Sequence, residues 1–182
     1  HLASIALERH RRMERIRFLA LHDPLTGLPN RSLLNEHLGR NLRRAHREGQ
    51  QFALMFIDLD GFKLINDRHG HDAGDDLLSV LAGRMTDQLR GTDTCARIGG
   101  DEFVVMLETV QSPESATQVA DKILQCLSTP VQRGPLSLQV SASIGIALYP
   151  HDGTSADALL TLADDAMYQA KTRGKNCWHR FS

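Results

Sequence analysis

The stretch Thr94-Cys95-Ala96-Arg97-Ile98-Gly99-Gly100-Asp101-Glu102-Phe103-Val104-Val105-Met106-Leu107 decides the fold. Thr94 to Ile98 and Phe103 to Leu107 are short β-prone runs, and Gly99-Gly100-Asp101-Glu102 between them is a turn, so the segment reads as a hairpin. Upstream, Leu77, Leu78, Leu81, Met85 and Leu89 recur at helical spacing. A polar loop over Asp60 to Gly74 precedes them. Phe52 to Leu59 is a compact apolar run, the pattern of a strand buried on both faces. Earlier still, Leu33, Leu34, Leu38, Leu42 and Ala45 describe a helix stopped by Gly49. Downstream of the hairpin, Ser112 and Pro113 open a helix that ends near Ser128. Leu138 to Leu148 alternates as a strand, with Val131 to Leu136 unassigned. Ser155 to Arg173 is a last helix stopped by Gly174, and Cys177 to Phe181 is a closing strand. The order αβαββαβαβ contains a βαββαβ core. The expected class is α+β: a ferredoxin-like, palm-type fold with an antiparallel-rich central sheet flanked by helices.

Residues 1–22 contain no Pro or Gly and hold five Arg against two Glu. A heptad template catches Leu2, Ile5, Ile16 and Leu19, but Arg9 and Arg12 interrupt it. The segment reads either as a solvated helix or as the end of a signalling stalk entering from a sensor domain. The turn formers of Asp23-Pro24-Leu25-Thr26-Gly27-Leu28-Pro29-Asn30 end it. They divide the chain into an N-terminal helix, 1–22, and a globular domain, 23–182.

A chain of 182 residues with 41% apolar and 24% charged composition fits one such domain with a real core. Its net charge of −1 and 5% aromatic content offer neither a basic face nor stacking platforms, so no nucleic-acid partner is expected. Cys95, Cys126 and Cys177 are odd in number and form no Cys-x-x-Cys pair, which suits reduced thiols in the cytoplasm. No stretch approaches the roughly 18 apolar residues of a membrane span, so this segment is expected to make no membrane contact. A longer parent chain can still be membrane-anchored.

Three carboxylates fall where strands meet turns: Asp58 near the end of the first strand, Asp101 and Glu102 at the hairpin tip. If those strands are neighbours, the acids converge. Hard oxygen donors gathered this way suit Mg²⁺, which keeps waters and recruits substrate phosphates. The alternative is a hairpin with exposed acids, but a doubly buried strand seldom ends in Asp by accident. Next comes Gly61-Phe62-Lys63-Leu64-Ile65-Asn66-Asp67, whose backbone N–H groups and Lys63 can cradle phosphate. Asn66 and Asp75 carry the hydrogen-bonding groups that a guanine edge matches. Taken singly, Asn66 reads better as a turn residue and Asp75 as a helix N-terminal acid.

Asp23 to Arg31, Asp58 to Asp67, Gly70 to Asp75, Arg97-Ile98-Gly99-Gly100-Asp101-Glu102-Phe103, Ser143 to Ala147 and Ala163 to Lys171 together resemble the GGDEF family of diguanylate cyclases, in the family's order and spacing. The resemblance spans about residues 20 to 181. It implies an enzyme that condenses two GTP into cyclic di-GMP and two pyrophosphates, using Mg²⁺ or Mn²⁺. By similarity, Asp58, Asp101, the Leu59 carbonyl and nearby Glu102 would ligate the metal. Asp101 would also serve as base, with Glu102 and Lys63 completing the catalytic set. Asn66 and Asp75 would read the guanine of GTP with His71 lining the nucleotide site, and Phe62 and Lys63 would meet the phosphates. Lys171 and Lys175, one helical turn apart, would hold the triphosphate tail; many relatives have Arg at the second position, and Lys keeps its charge but not its fork. Arg90-Gly91-Thr92-Asp93 stands where the family's product-inhibition site lies. As a free-standing pattern it is only a helix-end Arg and a turn acid.

Each domain would hold one GTP, so catalysis implies a homodimer. Fusion to sensor and effector domains is expected. A catalytically silent module that senses GTP or cyclic di-GMP is the alternative, which loss of Asp101, Glu102 or Lys63 would favour; all three are present. A cyclic-dinucleotide hydrolase would need motifs that this chain lacks, and a purely structural coupling domain would leave the clustered acids idle.

Overall fold

The computed structural model describes residues 2–181, and side chains from residue 7 onward; His1, Ser182 and the side chains of Leu2 and Ile5 lie outside the described set. Helix α1, Leu2–Leu21, leads into α2, Arg31–Glu48, and strand β1, Gln51–Asp60. Two helices follow, α3 at Phe62–His69 and α4 at His71–Asp87. The hairpin is β2, Thr94–Gly99, with β3, Glu102–Val110, and α5 spans Pro113–Ser128. Then come β4, Val131–Arg133; β5, Leu136–Leu138; β6, Ser141–Tyr149; α6, Ala156–Thr172; and β7, Cys177–Arg180.

The sheet runs in the order β2-β3-β1-β6-β7. Its first three pairings are antiparallel and β6–β7 is parallel, so the expected palm-type core is present with one added parallel edge strand. β4 and β5 form a separate small hairpin. They occupy the unassigned stretch after Val131 and leave the strand expected from Leu138 to begin at Ser141.

Side-chain alternation sorts β1 between two cores. Ala53, Met55, Ile57 and Leu59 pack with Leu77, Leu81 and Met85 of α4 and Ile123 of α5. Phe52, Leu54 and Phe56 pack with Leu34 and Leu38 of α2 and Leu159 and Met167 of α6. β1 is covered on both faces, which is why it reads as an unbroken apolar run.

One expectation needs correction. The polar segment Asp60 to Gly74 is not a loop: it holds α3 and the first turn of α4. Left-handed Gly61 (φ 80°) and Gly70 (φ 85°) bracket a short helix whose buried face is only Phe62 and Ile65. Two apolar residues three apart leave little periodicity to read. Asp75 consequently lies in the second turn of α4, not at a helix start.

α1 is exposed from Leu7 to Ala20, with Leu7, Met13, Ile16, Phe18 and Leu19 among the large apolar side chains facing solvent. At its end Asn30 donates to the Ala20 carbonyl at 2.9 Å and caps α2 by accepting from Leu33 N–H at 3.1 Å. Among the described residues, no helix is long and apolar enough to cross a membrane.

Candidate active site

Strand parity brings the acids together. Asp58 pairs with Glu102 across β3 and with Ser143 across β6. Asp58 shares the face of Leu54 and Phe56, and Glu102 that of Val104 and Met106, so both side chains lie on the α2/α6 side of the sheet. The Leu59 N–H donates to the Asp101 carbonyl at 3.2 Å, which fastens the end of β1 to the hairpin turn.

Helix α6 supplies the counter-charge. Lys171 Nζ stands 2.8 Å from Asp58 Oδ1, with side chains 31% and 12% exposed. α6 comes this close because Gly145 has no side chain: a Cβ there would lie 1.9 Å from the Ala163 carbonyl and 2.2 Å from Met167 N. Burial pushes the Asp58 carboxyl up; the Lys171 hydrogen bond opposes that shift and the neighbouring Asp101 charge adds to it. Glu102 is also raised, by burial first and then by Asp58, Asp101 and Asp164. Burial draws Lys171 down, but Asp58, Asp101 and Asp60 outweigh it and hold the ammonium above its ordinary value.

Asp58, Leu59, Asp60, Gly61, Phe62, Lys63, Asp101, Lys171 and Lys175 line one cavity of about 240 Å³. Three of the four candidate metal ligands, Asp58, Leu59 and Asp101, thus meet Phe62 and the candidate phosphate-binding lysines in one place, while Glu102 lies outside that lining. Among the described residues, no three His, Cys, Asp or Glu side chains form a ready-made metal cage. Two carboxylates and a carbonyl, to be completed by phosphate oxygens, is the donor set that Mg²⁺ commonly accepts. Lys175 departs from the expected one-turn spacing on a helix. α6 ends at Thr172, and Lys175 sits in the following turn at φ 64°.

Asn66, His71 and Asp75 lie on α3 and α4, outside that cavity's lining. Asn66 Oδ1 is buried without a hydrogen-bond partner, and a Cβ on Gly74 would stand 1.9 Å from it. A polar atom buried without a partner is costly, and an incoming donor would satisfy it. His71 and Asp75 are exposed.

Arg90 and Asp93 stand apart, in the turn between α4 and β2. Asp93 accepts the Arg90 N–H and the Glu108 N–H at 3.0 Å each, which pins that turn to β3. Both residues line a cavity of about 300 Å³ with Gln118 and Lys122 of α5.

Sequence reasoning missed two contacts. Arg97 Nη1 reaches both oxygens of Asp23 at 3.0 and 3.1 Å, while its Nε and Nη2 donate to the Gly100 carbonyl at 2.9 and 2.8 Å. Asp60 accepts the Ser141 and Ser143 hydroxyls at 2.9 Å and the Asn176 N–H at 3.1 Å. Alternation along β1 puts Asp60 on the face of Asp58; its partners lie too far along the chain to be read.

Comparison with known proteins bears on the family and the fold. Residues 20–177 match the family described as "Diguanylate cyclase, GGDEF domain". The bifunctional diguanylate cyclase/cyclic di-GMP phosphodiesterase MucR of Pseudomonas aeruginosa is 48% identical over 158 residues, 87% of this chain and 23% of MucR. The diguanylate cyclase TpbB of the same organism is 46% identical over 157 residues, 86% of this chain and 36% of TpbB. A solved structure of the TpbB GGDEF domain matches with a TM-score of 0.86 at 43% identity, covering 88% of this chain and 94% of that one. The coiled coil and GGDEF domain of DgcB from Caulobacter crescentus, solved with c-di-GMP, also gives 0.86, at 26% identity over 98% of this chain and 95% of that one. This chain belongs to the GGDEF diguanylate cyclase domain family. It spans about a quarter to a third of the two curated relatives.

Proposed function

We propose that this domain condenses two molecules of GTP into cyclic di-GMP, releasing two pyrophosphates. The observation that carries the proposal is the single cavity into which Asp58, Asp101, Lys63, Lys171 and Lys175 converge. Asp58, Asp101 and the Leu59 carbonyl, with Glu102 beside them, would hold a divalent cation, Mg²⁺ or Mn²⁺. When bound, that ion offsets phosphate charge and makes the attacking hydroxyl more acidic.

The chain's own residues do the rest. Asp101 takes the proton of the 3′-hydroxyl as its oxygen bonds to the α-phosphorus of the second GTP, and the bond to pyrophosphate breaks. Lys63, at the start of α3, meets phosphate charge together with the unbonded N–H groups of that helix start. Lys171 and Lys175 hold the tail. Asn66 Oδ1 accepts from the base, and Asp75 with His71 completes the guanine side.

One chain supplies half of a two-fold-symmetric reaction, so the working form is a homodimer with two such cavities facing each other. The exposed apolar residues of α1 support a stalk that pairs in that dimer, because a helix with no buried face is marginal alone. Product inhibition through Arg90 and Asp93 is part of the same proposal. Arg90 is exposed, and each Asp93 oxygen keeps a second lone pair for an incoming donor. The parent chain is proposed to act on cytoplasmic GTP.

The test is formation of cyclic di-GMP from GTP and Mg²⁺, with Asp101→Ala as control. GTP binding without turnover would instead assign a silent sensing module, and unchanged turnover in Asp101→Ala would remove Asp101 from the chemistry.

A further inference from the structure

Three successive residues after α6 have positive φ: Gly174 at 120°, Lys175 at 64° and Asn176 at 49°. Glycine does this freely and asparagine tolerates it, but a lysine there carries strain of order 1–2 kcal/mol. Such strain persists only where the surroundings over-determine the backbone, and it concentrates at functional sites.

Part of the determination is local. The Lys175 N–H reaches the Ala170 carbonyl at 3.2 Å and the Gly174 N–H the Lys171 carbonyl at 3.4 Å, which together close the helix in a Schellman turn. The remainder comes from far along the chain. Asp60 Oδ2 accepts the Asn176 N–H at 3.1 Å, and the Ser128 hydroxyl, whose nearer acceptor is the Leu124 carbonyl at 2.8 Å, stands 3.1 Å from Asn176 Oδ1. Asp60 itself is only 9% exposed and is held by Ser141 and Ser143 of β6.

We infer that Asp60 is a positioning residue: it grips the backbone one position beyond Lys175 and holds that side chain at the mouth of the cavity to meet the triphosphate tail. The inference rests on the cyclase reading of the cavity. β1 thereby contributes twice on one face, Asp58 as a cavity carboxylate and Asp60 as the anchor of a distant lysine. The anchor reconciles a lysine with a turn that glycine would fill at lower cost.

The experiment measures binding of GTP and of GMP, with Mg²⁺, to the full chain as wild type, Asp60→Asn, Lys175→Ala and the double variant. A positioning role predicts that each single change weakens GTP about tenfold, the size of one charge-assisted contact. GMP, which lacks the tail, should bind all four alike, and the double variant should bind GTP no worse than Lys175→Ala. An unchanged GTP affinity in Asp60→Asn, an equal loss for GMP, or additive losses in the double variant overturns the inference. If Asp60→Asn does not fold, Ser141→Ala reads the same anchor, because its hydroxyl holds the Asp60 oxygen that accepts the Asn176 N–H. It should weaken GTP about threefold, and only while Lys175 is present; an unaltered affinity overturns the inference equally. A wild type that binds no GTP sinks the cyclase reading and the inference with it. A wild type that binds GTP and makes cyclic di-GMP while Asp60→Asn binds GTP equally well sinks the inference alone.

Discussion

Asp23 and Arg97 are joined by a forked contact, 3.0 and 3.1 Å from one guanidinium nitrogen to the two carboxylate oxygens. Their side chains are only 17% and 14% exposed. The rest of the guanidinium grips the Gly100 carbonyl, and Asp23 is fixed by the Thr26 N–H and hydroxyl at 2.8 and 2.7 Å. The segment leaving α1 is thus bonded directly to the turn that carries Asp101.

Arg97→Lys keeps the charge, but one ammonium cannot hold Asp23 and the Gly100 carbonyl together as the three guanidinium nitrogens do. It should lower the unfolding free energy by about 2 kcal/mol, between the values for surface and buried pairs. Cyclic di-GMP formation should fall at least about tenfold. Urea unfolding beside a rate assay checks both, and a wild-type rate would separate this contact from catalysis. Asp23 adds a pH signature. Burial tends to raise its carboxyl, but the Thr26 and Arg97 contacts hold it below 3.8. Its contribution is therefore complete above 3.8 and lost as pH falls through the lower folded value. Asp23→Asn should remove that acid-dependent part.

Glu102→Gln should stabilise the metal-free protein while abolishing activity. Burial and three neighbouring carboxylates oppose its charge, and Arg31 favours it more weakly. Its folded pKa is raised above 4.5, so its unfavourable contribution is complete at neutral pH and gone below 4.5, where it is protonated whether folded or not. Melting temperature should rise by on the order of 1–3 °C at pH 7 and converge with wild type in acid. A lower melting temperature at pH 7 would contradict the crowding.

Gly74→Ala sets two effects against each other. Alanine gains roughly 1 kcal/mol over glycine within α4. Its Cβ, however, would lie 1.9 Å from Asn66 Oδ1, a side-chain end that must swing aside, and 3.1 Å from the buried Phe62 ring, which must give by a few tenths of an ångström. Stability should therefore hold or rise slightly, while affinity for GTP drops about tenfold and discrimination against ATP shrinks. Competition binding decides, and unchanged selectivity would remove Asn66 from base recognition.

Gly145→Ala has no such escape, because the Cβ would meet backbone at 1.9 and 2.2 Å. α6 must lift from β6, taking Lys171 away from Asp58. Destabilisation of about 3 kcal/mol or more is expected from denaturant unfolding, as for severe overpacking.

Removing residues 1–22 should leave the globular domain folded but make turnover steeply dependent on protein concentration. Full activity at low concentration would show that α1 has no part in pairing the half-sites.

The central architecture was legible because it rests on periods. Alternation along β1 and the hairpin around Gly99–Glu102 give the face of Asp58 and the place of Glu102, but the sequence leaves their meeting conditional on β1 and β3 being neighbours, which the sheet order supplies. α3 escaped because only Phe62 and Ile65 mark its buried face between two left-handed glycines. The β4–β5 hairpin escaped because each strand has only three residues. Arg97 with Asp23 and Asp60 with Asn176 join partners 74 and 116 positions apart, where no local pattern connects them. Lys175 was found as a cation, but its strained backbone was not, because a Schellman turn is normally announced by glycine alone.

The Lys171–Asp58 pair has a consequence for the cell as well as for the cavity. A cluster of acids with no resident cation would make folding itself depend on metal supply. Here the protein carries its own place-holder: an ammonium already partners the most buried of those acids. If the domain is the proposed cyclase, chelation should therefore leave the fold intact and idle, so that scarcity of the ion stops product formation without destroying the protein.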